Sequence, residues 1–259
     1  MKATPTVLCL HAITRSGRDF RPFAQALSRD FDVLTPDLLG HGQTPRSASY
    51  LLADYRDALL VELPRGCDII LWGHSLGGLV ALALADKYGD RVVGVVLEDV
   101  PLFEVEWPRF RDGPFYSGFK ALHEQLSAKT PNRSALAAEV AAWPSGDGQT
   151  HLGARFGDAI VDQRTEDLLN LDVAALVPPL TGQLAGDIDI RKILAHLQCP
   201  VWLLAGNRTL GSALTEHDLN TFETLCADGH LHNFTSLGHD IRLFEQTACT
   251  DLVIQIARG

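Results

Sequence analysis

The chain has 259 residues, 46% of them hydrophobic and 21% charged, a length at which a single domain buries most of the surface its unfolded form exposes. A formal net charge of -10 with no lysine or arginine block argues against nucleic acid as a partner, and nowhere do about 18 apolar residues run together, as a membrane span requires. Cys9, Cys67, Cys199, Cys226 and Cys249 are scattered and form no CxxC, so the chain reads as soluble and cytoplasmic, with free thiols, no disulfide framework, no zinc site and no leader segment.

Short apolar runs rich in β-branched residues fall at Val7 to Leu10, Phe31 to Leu34, Asp68 to Trp72, Val92 to Leu97, Val201 to Ala205 and Leu231 to Thr235. Helical spacings separate them, an alternation that predicts a mostly parallel sheet of about six strands with right-handed crossovers and flanking helices. After the first run, Ser16 and Asp19 read as a capping box opening a helix that turns Phe20, Phe23, Ala24 and Leu27 toward the sheet. Leu76 to Tyr88 predicts a second helix, closed by Gly89 where a left-handed residue is least strained.

From Pro101 to Leu197 the rhythm breaks. An aromatic-rich segment with Phe103, Trp107, Phe110, Phe115, Tyr116 and Phe119 leads into Ala-rich helical sequence and a loop at Trp143 to Gly148. The expected division is a core over 1–100 and 198–259 with a helical cap over 101–197, the cap shielding a mostly apolar pocket; the competing reading makes those aromatics plain core. Thr215 and Asp218 form a capping box, which explains Asp218 structurally, and a last helix runs from about Ile241 to Ala257.

Gly73-His74-Ser75-Leu76-Gly77 fits G-x-S-x-G, a pattern common by chance, but here a strand runs into it and a helix runs out. Ser75 then sits on a tight strand-to-helix turn with its hydroxyl exposed, and the residues two positions to either side must be small. The Leu76 N–H, at a helix N-terminus, is free to point at an oxyanion. A second donor is expected where the chain leaves the first strand in Leu10-His11-Ala12-Ile13-Thr14: the N–H of Ile13, with Ala12 next.

With these motifs the chain resembles the α/β-hydrolase superfamily over nearly its whole length. The resemblance also rests on His11-Ala12, Asp37-Leu38-Leu39-Gly40-His41-Gly42, Cys199-Pro200 followed by Val201 to Gly206, and Gly238-His239-Asp240. It implies Ser75 as nucleophile and His239 as general base, the other nine of the ten histidines being structural or surface residues. Three departures stand out: the usual first hairpin is absent, Ala12 replaces a glycine, and Gly206-Asn207-Arg208-Thr209 lacks the acid many relatives carry there. Other branches place that acid after the strand following the elbow helix, which here ends in Glu98-Asp99. Neighbouring side chains at a strand end point to opposite faces, so one of the two meets His239; alignment with those branches selects Asp99, with Glu98 as the alternative.

A serine at the elbow implies cleavage of a small, largely apolar carboxylic ester or lactone through an acyl-enzyme, with no cofactor and no metal. The alternative is a cofactor-free dioxygenase or C-C bond hydrolase using His239 and its acid as base on an aromatic or diketone substrate. A non-catalytic ligand receptor on the same scaffold is the third reading. Oligomeric state is not legible in the sequence.

Overall fold

The computed structural model describes residues 4–259 except 62, 64, 65, 104, 105 and 129–131. Six strands, β1 (Thr6–Leu10), β2 (Val33–Leu34), β3 (Ile69–His74), β4 (Val92–Glu98), β5 (Val201–Gly206) and β6 (Gly229–Phe234), form one sheet in the order β2-β1-β3-β4-β5-β6. Every pairing is parallel, so Cys9, Trp72, Val96 and Trp202 stand side by side across four strands. Strand positions agree with the apolar runs to within two residues at either end, except that β2 keeps only two residues of its run.

Before β4 the helices are α1 (Arg21–Leu27), α2 (Leu52–Leu60) and α3 (Leu76–Tyr88). Between β4 and β5 lie α4 (Arg109–Asp112), α5 (Pro114–Leu126), α6 (Arg133–Ala141), α7 (Leu152–Phe156), α8 (Asp158–Leu169), α9 (Val177–Thr181) and α10 (Ile190–His196). The chain ends with α11 (Glu216–Leu225), α12 (Ile241–Phe244) and α13 (Gln246–Arg258). None of the described helices is long and apolar enough to cross a membrane.

The strand period of two divides the core between the two faces of the sheet. Leu8, Leu10, Leu71 and Leu97 face the cluster built on α3, whereas Val7, Cys9, Trp72 and Val96 face Phe20, Phe23, Val253 and Ile256. Helix α3 packs against the sheet, α2 and α10 together, which explains an apolar surface all round rather than one stripe.

Two expectations about local structure fail. Ser16 and Asp19 form no capping box: Gly17–Phe20 is a 3-10 turn, the Ser16 hydroxyl donates to Asp167 at 2.6 Å, and α1 starts at Arg21 with Pro22 in its first turn. The last helix is two helices, broken at Glu245. Both failures share a cause, because Asp19 and Arg242 turn inward into a buried ion network. Arg242 meets Glu98 at 2.7 Å and also pairs with Asp19; Arg164 meets Asp19 at 2.6 Å and Asp240 at 3.6 Å; Arg15 meets Asp240 at 3.3 Å. Burial by itself would raise the Asp19 pKa, but Arg164 and Arg242 hold it below the usual carboxylate range.

Removing one member of such a network strands the others in a medium that solvates them poorly. Arg242→Met is expected to lower the unfolding free energy by about 3 to 5 kcal/mol in urea titrations, since Asp19 and Glu98 lose a shared cation. A loss under about 1 kcal/mol, the scale of an exposed pair, would show that the network does not hold the fold as described.

Candidate active site

The geometry starts at the end of β3. Ser75 has φ 52 and ψ -118, and its N–H donates to the Glu98 carbonyl at 3.1 Å, so the turn is anchored to the neighbouring strand tip. Close packing explains the flanking glycines: a Cβ on Gly77 would lie 2.1 Å from the Leu10 carbonyl oxygen, and one on Gly73 would lie 2.4 Å from the Gly78 Cα. Leu76 begins α3, so its N–H has no partner one turn earlier. Ile13 is buried in the loop after β1, where His41 Nε2 lies 2.5 Å from the Ile13 carbonyl oxygen and the Arg15 N–H donates to the Ala12 carbonyl at 3.0 Å.

Asp99 is the one other non-glycine among the described residues with positive φ, at 45. Strain of that kind costs on the order of 1 to 3 kcal/mol and persists where its surroundings over-determine it. Here they do. Asp99 Oδ1 accepts from the Gly206 N–H at 3.1 Å and the Ser212 hydroxyl at 2.5 Å, while Oδ2 accepts from the Ala213 N–H at 2.7 Å and lies 2.6 Å from His239 Nδ1. The segment after β5, which lacks an acid, thus supplies donors to the acid that follows β4, and its Asn207 caps a short turn through the Thr209 N–H.

Glu98 points the other way. Its carboxylate accepts from Trp72 Nε1 at 3.0 Å, the Arg242 N–H at 2.9 Å and Arg242 Nη1 at 2.7 Å, on the face opposite His239. Glu216 is exposed, and Asp218 is the capping box partner of Thr215 that also accepts from the Phe103 N–H.

Gly238 places His239 by close approach: its N–H donates to the Gly146 carbonyl at 2.6 Å, and a Cβ there would lie 2.1 Å from the Leu210 carbonyl oxygen. Beneath, His74 Nε2 lies 3.1 Å from the His239 carbonyl oxygen, with the two rings 4.5 Å apart. Burial and the nearby His239 hold His74 well below the ordinary histidine pKa, so it is neutral and donates to that carbonyl. Nothing in the sequence distinguished this role. His11 is likewise neutral, its pKa pushed down to about 3 by burial, and accepts from the Leu38 N–H at 2.8 Å. Burial would lower the His239 pKa too, but the hydrogen bond and charge of Asp99, with the charge of Asp240, raise it above the ordinary value.

Ser75 and His239 both line a cavity of about 490 Å³, together with Ala12, Ile13, Arg15 and Asp240. Among the described residues the Ser75 hydroxyl closes no hydrogen bond with the imidazole. Of the aromatics singled out in the sequence, Phe110, Phe115 and Phe119 line the cavity, with the Phe115 ring 5.9 Å from that of His239. Phe103 is core beneath Arg191, and Trp107 is 44% exposed, so neither belongs to the wall. Asp19, His74 and Asp240 bring one donor atom each within 4.8 Å of one another, but both carboxylates are already engaged by arginines, which disfavours a cation there.

Residues 7–248 match the profile of the Alpha/beta hydrolase family. A pimeloyl-[acyl-carrier protein] methyl ester esterase of Aromatoleum aromaticum is 29% identical over 98% of this chain and 99% of its own. A 2-(acetamidomethylene)succinate hydrolase of Mesorhizobium japonicum is 34% identical over 53% of each chain. Among solved structures, an esterase from Exiguobacterium antarcticum superposes with a TM-score of 0.75 at 15% identity, covering 100% of this chain and 94% of its own, which speaks to the fold alone.

The Asp99 contact predicts a titration. In NMR spectra His239 is expected to keep its second proton to a pH above the ordinary histidine range, and Asp99→Asn is expected to lower that midpoint, since it removes a charge and a hydrogen-bond acceptor. An unchanged midpoint would show that the two side chains are not paired.

Proposed function

The chain belongs to the alpha/beta hydrolase family, and from that premise we propose that it is a serine hydrolase cleaving a small, largely apolar carboxylic ester or lactone. The observation that carries this reading is the strained Ser75 at the mouth of α3, on the wall it shares with a histidine held by Asp99 at 2.6 Å. As the Ser75 oxygen bonds to the acyl carbon, His239 Nε2 takes the hydroxyl proton. The N–H groups of Leu76, at the start of α3, and of Ile13, in the loop after β1, hold the developing oxyanion, which two fixed donors stabilise better than water would. The bond to the leaving alcohol then breaks, His239 returns the proton to that oxygen, and a water molecule repeats the sequence to release the acid and restore Ser75.

Asp99 keeps the neutral imidazole in the tautomer with its proton on Nδ1 and stabilises the imidazolium, leaving Nε2 as the acceptor. The segment 101–197 acts as a cap whose Phe110, Phe115 and Phe119 form an apolar wall, and a cavity of about 490 Å³ suits a small substrate. The relative named as an esterase, matched over nearly its full length, supports ester cleavage over the dioxygenase or C-C bond reading.

Ser75→Ala is expected to lower turnover of p-nitrophenyl esters by about 10⁴-fold or more and to abolish labelling by a fluorophosphonate, with the fold retained. More than about a tenth of the activity surviving would remove Ser75 from the chemistry. Asp99→Asn should cost roughly 10³- to 10⁴-fold in kcat. Glu98→Gln should cost far less per folded molecule, because Glu98 faces Arg242; equal losses would overturn the assignment of the acid.

A further inference from the structure

We infer that Gly118 determines which substrates fit the cavity: it holds open an apolar track along α5 that takes an unbranched chain of about eight bonds. The natural ester then carries a hydrocarbon chain of that length on one side of the bond that is cleaved. This rests on the serine hydrolase reading of the same site.

Helix α5 lines the cavity with Phe115, Gly118, Phe119, Ala121 and Leu122. Four of these follow the i, i+3, i+4, i+7 spacing, and the helical repeat spreads all of them over an arc of about 160° with Gly118 near its centre. The track starts at Phe115, whose ring lies 5.9 Å from that of His239. It runs to Leu122, about 10 Å further along the helix axis. Almost one turn beyond, the Gln125 side-chain amide donates at 2.8 Å to Glu139, which also lines the cavity, so the apolar wall ends in a polar pair. An extended chain advances roughly 1.2 Å per bond, and about eight bonds fill the length between the two ends.

Glycine is the poorest helix residue after proline, so one in mid-helix calls for a cause. Two common causes are absent here. Gly118 lacks the positive φ of Gly66, Gly89, Gly157 and Gly211, and a Cβ built on it would meet no packed neighbour within 4 Å, whereas on Gly77 or Gly238 it would strike backbone. The cause that fits is the cavity. Gly118 is exposed, and its place at the centre of the lining arc turns that exposure inward, between Phe115 and Leu122. A bulky side chain there would fill the track midway between the His239 end and the polar end.

The test measures kcat/KM of the full chain on p-nitrophenyl esters from acetate to dodecanoate and on n-alkyl acetates from ethyl to dodecyl, the second series placing the chain on the alcohol side. In one of the two series kcat/KM is expected to rise by about 10-fold or more up to chains of roughly eight carbons, since each buried methylene adds favourable transfer energy, and to gain nothing beyond. Gly118→Leu should lower the ratio of the eight-carbon to the two-carbon substrate by about 10-fold or more. Gly118→Ala, which removes room for one methylene, should lower it by about 4-fold. Both substrates are measured on one sample, so the ratio cancels any loss of folded enzyme.

Rates independent of chain length in both series, or a ratio that Gly118→Leu leaves unchanged, overturn the inference while ester hydrolysis itself stands. If Gly118→Leu fails to fold, Gly118→Ala decides in the same way, because a helix tolerates alanine better than glycine. If no ester is turned over, calorimetry with 1-octanol against 1-butanol decides. A preference for octanol of about 10-fold or more that Gly118→Leu removes upholds the track and overturns the esterase reading; no such preference overturns both.

Discussion

Every part of the site depends on the contact between Asp99 and His239, and that contact exists because a parallel sheet brings the C-terminal ends of its strands to one edge. The tips of β3 and β4 are paired residue by residue up to His74 and Glu98, so Ser75 and Asp99 leave the sheet side by side. The next strand tip, β5, adds the Gly206 N–H and the loop carrying Ser212 and Ala213. With these donors around it, the Asp99 carboxylate has little freedom to turn from the imidazole. The His239 imidazole is therefore oriented by a carboxylate that is itself oriented by neighbouring strand ends.

The pleat gives the adjacent acids Glu98 and Asp99 opposite fates. Asp99 serves the cavity side, whereas Glu98 enters the α1 and α13 side, where it closes an ion network with Arg242, Asp19, Arg164, Asp240 and Arg15. Networks of this kind add little net stability over an apolar core, but they define geometry sharply, because a displaced member leaves a buried charge unpaired. The network includes Asp240, the residue after His239, and thus holds the His239 loop from below while Asp99 holds its ring. His74 completes the support by donating to the His239 carbonyl. One strand tip sets both the cavity edge and its foundation.

Close backbone approach does the rest. Gly73, Gly77 and Gly238 each occupy a place where a Cβ would strike a backbone atom at 2.4 Å or less. The first two let α3 start directly over the end of β3, and the third lets the His239 loop lie against Leu210 and Gly146. Left-handed backbone at Ser75 and Asp99 is the cost of aiming two side chains at one cavity, offset by the packing around them.

The sequence by itself determined the parallel sheet, the elbow helix to within a residue, and the placement of Ser75 and His239 on the loops after β3 and β6. All of these rest on local patterns: apolar runs, helical spacing, and glycines at fixed offsets. The resemblance to branches with an acid after this strand selected Asp99, with Glu98 as the alternative, and the period of two along a strand implied that only one of the two faces His239. Only the tertiary structure decided what fixes Asp99 against His239, because its carboxylate is held by donors from Gly206, Ser212 and Ala213, more than a hundred residues away. The same distance in sequence hid the ion network, so Ser16 and Asp19 read as a helix cap when Asp167, Arg164 and Arg242 in fact claim their side chains. The end of the chain misled in the same way: its apolar spacing reads as one helix, while Arg242, drawn inward to Glu98, sits in a short helix that breaks at Glu245. Local patterns specify which backbone a segment adopts; which charges it buries is set by partners that meet only when the strand ends converge.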